Sequence, residues 1–169
     1  GYYPSLPEYD DHELRFCKSL YHYMVKDYDL SNKKVLDIGC GRGGGANLLK
    51  QFNPSEIHGC DLTPANIEFC ENTYSGIEFR IDDAMNLSYE DSYFDFVLCV
   101  ESSHHYHDVP KFFSEVKRVL KPTGVFLYCD IFNCLDNSTE VQMHESKYFN
   151  YVEREDLTDN VSKACEQQL

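Results

Sequence analysis

The chain has 169 residues, 42% of them hydrophobic, which suits one domain with its own core. Its net charge of −14, with no basic stripe to offset it, repels a phosphate backbone and argues against nucleic acid as a partner. No apolar run is long enough to cross a bilayer and no secretory pattern opens the sequence, so no membrane span and a cytoplasmic location are expected.

A first helix is predicted over residues 12–28, with Asp10 or Asp11 as its cap. Leu14, Cys17, Leu20, Tyr21, Met24, Val25 and Tyr28 recur at helical spacing and give it one buried face. The run Val35-Leu-Asp-Ile-Gly-Cys-Gly-Arg-Gly-Gly-Gly-Ala-Asn-Leu-Leu49 follows. It reads as a buried strand (35–38), a glycine turn (39–45) and a helix (46–52). Glycines there let a ligand approach the backbone closely, and the helix N-terminus offers unpaired N–H groups. Asp37 adds a negative charge at the mouth of the turn, which favours a cofactor with a positive amino-acid end over a bare pyrophosphate. Gly39, Gly41 and Gly44 alone also satisfy the G-x-G-x-x-G pattern of nicotinamide and flavin proteins, and tight strand–helix packing asks for the same residues.

Pro54 and Ser55 break the chain before a strand at 56–60. Thr63-Pro64 then opens a helix to about 74, with threonine as cap and proline at the first helical position. Strands are predicted at 77–81 and 94–100, the second nearly continuously apolar as a central parallel strand should be. A helix at 109–120, a turn at 121–124 and a strand at 125–129 come next. Residues 130–152 read as a loop with a short helix, and 154–168 as a last helix. Alternating strands and helices predict an α/β, Rossmann-like doubly wound, mostly parallel sheet. Of the eight cysteines, Cys40, Cys60, Cys99 and Cys129 fall in or beside strands, and no CxxC pair occurs. They are read as reduced thiols acting as small hydrophobes.

In such a sheet ligands bind beyond the carboxyl ends of the strands. The first strand ends at Asp37 and the glycine turn, the second at Asp61, where a carboxylate can accept both hydroxyls of a ribose. The third ends at Asp82-Asp83-Ala84-Met85, suited to bonding an adenine amino group and covering its ring. The fourth ends at Glu101-Ser102-Ser103-His104. Each acid alone also reads as a helix cap, and Asp61 fits a dinucleotide ribose equally well. The conjunction of four polar strand ends carries the argument.

From about Tyr9 onward the chain resembles the class I S-adenosylmethionine-dependent methyltransferases. The motifs are Val35-Leu-Asp-Ile-Gly-Cys-Gly-Arg-Gly, Gly59-Cys-Asp-Leu-Thr-Pro, Asp83-Ala-Met-Asn-Leu, Phe94-Asp-Phe-Val-Leu-Cys-Val-Glu-Ser-Ser-His and Glu115-Val-Lys-Arg-Val-Leu-Lys-Pro-Thr-Gly. Within the class, Gly41-Arg-Gly-Gly-Gly and Val100-Glu-Ser-Ser-His resemble small-molecule and lipid methyltransferases, in style nearest the phthiotriol and phenolphthiotriol dimycocerosate enzymes. The resemblance implies S-adenosyl-L-methionine as cofactor and S-adenosyl-L-homocysteine as product. It implies Asp37, Gly39, Cys40 and Gly41 around the methionine part, Asp61 on the ribose and Leu62 against the adenine. Asp83, Ala84 and Met85 would meet the adenine, and Glu101 would face the sulfonium side.

Members of the class add an antiparallel strand pair after the fifth strand and its helix. This sequence stops at Leu169, where that pair should begin. The expectation is therefore a truncated domain: residues 1–30 as an N-terminal helical lid, 33–130 as the cofactor-binding core, and 131–169 as a loop and C-terminal helix. Strand 125–129 would be an exposed hydrophobic edge, open to a partner or a second copy of the chain.

The sulfonium methyl is already activated, so alignment is the protein's main task. An oxygen acceptor also needs a base, and Glu101, His104 and His105 are the candidates, with His107 behind them. His105 and His107 also read as decoration of the next helix. Glu101, Asp130 and His104 permit a metal reading, but the partner carboxylate–amide pair of the metal-dependent group is absent and no metal is expected. The aromatic excess favours a hydrophobic or phenolic small-molecule acceptor. Two rivals stand beside methyl transfer: a non-catalytic or partner-dependent cofactor-binding fragment, and a dinucleotide oxidoreductase.

Overall fold

A computed structural model describes residues 15–131, 146–150, 152–153 and 155–166. Five strands form one sheet: β1 (Lys34–Ile38), β2 (Glu56–Asp61), β3 (Glu78–Ile81), β4 (Phe94–Val100) and β5 (Leu120–Cys129). Their order is β3-β2-β1-β4-β5, and every pairing is parallel. The chain lays down β1 to β3 in one direction and then returns to place β4 on the other side of β1. That reversal opens a crevice at the carboxyl ends of β1 and β4, where an open α/β sheet binds its ligand. The Rossmann-like class expected from the alternation of elements is the one observed.

Helix α1 (Arg15–Val25), α2 (Gly44–Leu49, extended by a 3-10 turn at Lys50–Phe52) and α3 (Pro64–Thr73) precede β4. A 3-10 turn at Ser103–His105, α4 (Val109–Val119) and α5 (Thr158–Glu166) follow it. Strand β1 is buried from Val35 to Ile38, and its side chains alternate between two cores. Leu36 and Ile38 join Val97, Cys99, Phe112, Phe113 and Val116 beneath α4. Val35 joins Val25, Leu49, Ile67, Cys70 and Leu98 beneath α1, α2 and α3. Asp37, two residues after Val35, points to that second side.

Several boundaries differ from the sequence reading, each for a local reason. Helix α1 stops at Val25, whose carbonyl accepts Tyr28 N–H at 3.0 Å in a closing turn. Pro64 does take the first helical position, but Thr63 makes no side-chain cap bond. Asp61 supplies the acceptor instead, taking Thr63 N–H at 2.9 Å and the Asn66 amide at 3.1 Å. Residues 121–124 do not leave the sheet as a turn. They form an irregularity inside β5, because Phe94 pairs with Leu120 while Phe96 pairs with Val125. Asp95 holds this bulge through Lys121 Nζ at 2.8 Å and ties it to β1 through Lys34 N–H at 3.0 Å. Helix α5 begins at Thr158, whose N–H and hydroxyl both reach Asp156. Asp10 and Asp11 lie outside the described residues. Of the loop expected at 130–152, residues 146–148 are helical.

The edge strand β5 is less bare than its sequence suggests. Leu127 is buried and Val125, Phe126 and Tyr128 are half-buried. Phe126 stacks on Tyr128, and Phe149 packs 5.1 Å from Phe126. Cys17, Cys40, Cys60, Cys70, Cys99 and Cys129 are all free thiols.

Candidate functional site

The glycine turn divides into glycines that pack and glycines that face open space. A Cβ on Gly39 would lie 1.9 Å from Ser102 Oγ, one on Gly43 2.8 Å from Cys70 Sγ, and one on Gly45 2.1 Å from the Tyr21 ring. These three are bare because β4, α3 and α1 press against the turn. Gly41 and Gly44 would meet nothing within 4 Å. Gly41 also has φ +53°, a conformation glycine adopts without strain. The open side of the turn is therefore at Gly41 and Gly44, where a ligand can lie against the backbone. Cys40 contributes no side chain to that surface. It is buried and gives its N–H to the Cys60 carbonyl at 3.0 Å.

Asp61 is oriented toward the turn. Its Oδ2 accepts Gly41 N–H at 2.9 Å while Oδ1 holds the start of α3. A carboxylate offers about four lone-pair positions, so one stays free for a ligand hydroxyl. Beside it, Leu62 is 65% exposed, and Ile81, the register partner of Asp61 on β3, is 55% exposed. Two exposed aliphatic side chains at adjacent strand ends make an apolar seat wide enough for an aromatic ring. The next loop adds Asp83, whose Oδ1 accepts Met85 N–H at 2.9 Å, with Met85 half-buried and Ala84 packed into the core.

Asp37 sits beneath the turn rather than at its mouth, with no accessible surface. The Tyr21 hydroxyl donates from 3.2 Å to both carboxylate oxygens. Burial pushes the Asp37 carboxyl up to about 7, against the opposing hydrogen bonds from Tyr21 and the Ala46 N–H.

At the end of β4, Glu101 is exposed and takes φ +51°, a strained conformation for a side chain of its size, while its N–H donates to Cys129 O at 2.8 Å. The 3-10 turn that follows is anchored by Asp130. Asp130 Oδ2 accepts from Ser103 Oγ at 2.5 Å and His104 N–H at 3.1 Å. Its Oδ1 accepts from His104 Nδ1 at 2.6 Å and Ile131 N–H at 2.8 Å. The Tyr128 hydroxyl lies 2.6 Å from Ser103 Oγ and extends the chain. The Asp130 side chain is fully buried and that of His104 is one-third exposed. With the carboxylate accepting from Nδ1, the imidazole presents Nε2 and its lone pair outward.

His105 is exposed and its ring lies 4.0 Å from that of His104. His107 is exposed, and the cap of α4 is Asp108, which accepts Lys111 N–H at 2.9 Å. All four Asp130 acceptor positions are occupied by its own neighbours, so it orients His104 rather than offering a ligand. Among the described residues no group of three or more His, Cys, Asp or Glu side chains converges on a point that would hold a metal ion.

The structure thus brings Asp37, Gly41, Asp61, Glu101 and His104 to one end of the sheet. Sequence reading missed Tyr21, which spacing marked only as a buried helix position, and the pairing of Asp130 with His104. Helix α1 lies across this end, since Leu20 packs with Val100 and the Cys17 thiol is pushed up by burial and by the Glu101 carboxylate.

A parallel sheet with an open glycine turn at its switch point defines an α/β protein built to hold a nucleotide-like cofactor. The comparisons narrow this. A family model described as a methyltransferase domain matches residues 36–128. The "Probable phthiotriol/phenolphthiotriol dimycocerosates methyltransferase 2" of Mycobacterium ulcerans is 46% identical over 121 residues, which cover 70% of this chain and 47% of that protein. The fatty-acid O-methyltransferase of Mycolicibacterium smegmatis is 43% identical over 130 residues, covering 75% of this chain and 47% of its own length. The YcgJ protein of Bacillus subtilis superposes with a TM-score of 0.64 at 31% identity, over 70% of this chain and 53% of that one. The chain belongs to the class I S-adenosylmethionine-dependent methyltransferases. It spans about half the length of the two mycobacterial relatives. Among the described residues no helix is long and apolar enough to cross a membrane.

Proposed function

We propose that the chain forms the cofactor half of a methyltransferase acting on an oxygen of a small, apolar acceptor, with His104 as the base. The observation that carries this reading is the His104–Asp130 pair at the end of β4. A buried carboxylate that fixes an imidazole through Nδ1 suits the imidazole to remove a proton from an acceptor hydroxyl at Nε2.

The residues present fit S-adenosylmethionine. Gly41 and Gly44 leave room beside the backbone, Asp61 keeps an acceptor for the ribose, and Leu62 and Ile81 give an apolar seat for the adenine. Met85 and Asp83 close that seat from the next loop, and Asp37 and Glu101 supply negative charge toward the amino-acid and sulfonium end. Bound there, the cofactor supplies an electrophilic methyl group and leaves as the neutral thioether. The chain's own work is then alignment and proton handling. Gly39 keeps the turn close to Ser102, so that the ends of β1 and β4 face one crevice. Helix α1 acts as a lid that excludes water from it. Nε2 of His104 receives the acceptor's proton as the new O–CH3 bond forms, and Asp130 stabilises the imidazolium. His105, its ring tilted 4.0 Å from that of His104, covers that face.

The apolar nature of the acceptor is supported by the names of the relatives, a phthiotriol/phenolphthiotriol dimycocerosates methyltransferase and a fatty-acid O-methyltransferase. The test has two stages: calorimetric titration of S-adenosylhomocysteine, then transfer of labelled methyl to a long-chain alkylphenol or alcohol, whose hydroxyl keeps its proton at neutral pH. Binding lost in Asp61→Ala, and transfer lost in His104→Ala with binding retained, supports the reading. Binding indifferent to Asp61 refutes the site.

A further inference from the structure

Tyr21 lies upstream of the segment that matches the methyltransferase family model, yet its hydroxyl is bonded to the buried acid of the glycine motif. It sits equidistant from both Asp37 oxygens at 3.2 Å. The carboxylate is sealed from solvent, with the Ala46 N–H from the first turn of α2 as its other partner. The ring reaches this place because residue 45 is glycine, where a Cβ would stand 2.1 Å from Tyr21 Cζ. Tyr21 is thus wedged between α1 and the turn, and α1 is docked by Leu20 against Val100.

We propose that Tyr21 is a positioning residue for the cofactor, whose hydroxyl fixes Asp37 and makes cofactor binding conditional on the docking of α1 over the glycine turn. The inference rests on the S-adenosylmethionine reading of that turn. Its physical basis is the isolation of Asp37. The titratable groups that face it are Tyr21 from α1, Asp61 and Cys60 from β2, Cys40 from the turn, Cys70 from α3 and Cys99 from β4. None is a cation, so hydrogen bonds alone sustain the charge until a ligand ammonium arrives. Burial and the neighbouring carboxylate hold the Tyr21 phenol well above its usual range, so it remains a donor throughout. Without it, Asp37 stays protonated to higher pH, and the attraction for an ammonium group is lost over that interval.

Calorimetric titration of S-adenosylhomocysteine from pH 6 to 9 tests this on the wild-type chain, Tyr21→Phe and Gly45→Ala. The wild type is expected to bind more tightly as pH rises through about 7, where Asp37 ionises. Tyr21→Phe keeps the ring and is expected to bind about tenfold more weakly at pH 7, with its midpoint moved to higher pH and a loss of melting temperature that grows as pH rises through 7. Gly45→Ala, which pushes the ring off without altering any polar group, is expected to move the midpoint the same way. A Tyr21→Phe chain with wild-type affinity and midpoint overturns the proposal. So does a lowered melting temperature with an unmoved midpoint, which would mean a structural role only. Absence of binding by the folded wild type overturns the cofactor reading and this inference with it.

Discussion

Replacing Asp37 with asparagine should gain stability relative to the wild type as pH rises, while weakening the hold on the cofactor. The carboxyl is fully buried and its folded pKa is raised from an ordinary 3.8 to about 7. Well below pH 3.8 the group is neutral in both folded and unfolded chains and makes no difference. As pH rises, the unfolded chain ionises first, so the native state binds the extra proton and stability falls until about pH 7. The gap between the two pKa values corresponds to roughly 4 kcal/mol of lost stability at pH 8, of which about 2–3 kcal/mol appears between pH 5 and pH 8. Asparagine never ionises, and its carbonyl can still accept from Tyr21. Its amide hydrogens lack an acceptor there, a pH-independent cost of about 1–3 kcal/mol. Urea unfolding of the wild type and Asp37→Asn at pH 5 and pH 8 isolates the charge effect from that constant. The difference should swing in the variant's favour by about 2–3 kcal/mol, or ~5–10 °C in melting temperature, between the two pH values. A difference that is flat with pH would refute the reasoning, because it would mean the buried carboxylate is compensated in a way its surroundings do not show.

Three further expectations separate binding, chemistry and stability. His104→Ala should lower methyl transfer to a hydroxyl acceptor about 100- to 10,000-fold while leaving S-adenosylhomocysteine affinity intact, and Asp130→Asn should act in the same direction through loss of the negative charge that stabilises the imidazolium; steady-state kinetics beside calorimetry reads both. Gly41→Ala should weaken cofactor binding with a modest stability loss, since its Cβ enters open space at φ +53°. Gly59→Ala should instead destabilise by about 1–3 kcal/mol, since its Cβ would stand 2.8 Å from the Phe79 ring. Glu115→Ala should cost about 2–4 kcal/mol at pH 7, because the buried carboxylate accepts Leu87 N–H at 2.9 Å and Arg118 at 2.7 Å. Arg118 holds that carboxyl below the usual range, so the contribution is complete above the ordinary value of 4.5 and fades as pH falls below it, which denaturation at pH 7 and pH 3 would show.

The sequence by itself determined the order of strands and helices and the end of the sheet that carries the site. A continuous apolar strand, a glycine turn and an acid at the next strand end are local signals, each set by the backbone within a few residues. The limits of β4 at Phe94 and Val100 were legible for that reason, as was Pro64 at the start of α3. The tertiary structure alone decided which glycines serve packing, because that depends on side chains distant in the chain, such as Tyr21 over Gly45 and Ser102 beside Gly39. It decided that residues 121–124 stay in the sheet, since Asp95 on the neighbouring strand holds them there. It also separated roles that look alike in sequence. Asp37, Asp61 and Asp130 are each an acid at the end of a strand. Folding buries Asp37 against Tyr21, turns Asp61 toward the Gly41 N–H, and saturates Asp130 with Ser103 and His104. An aspartate's chemistry is set by which donors reach it and how much water remains, and both come from elements brought together only by the fold.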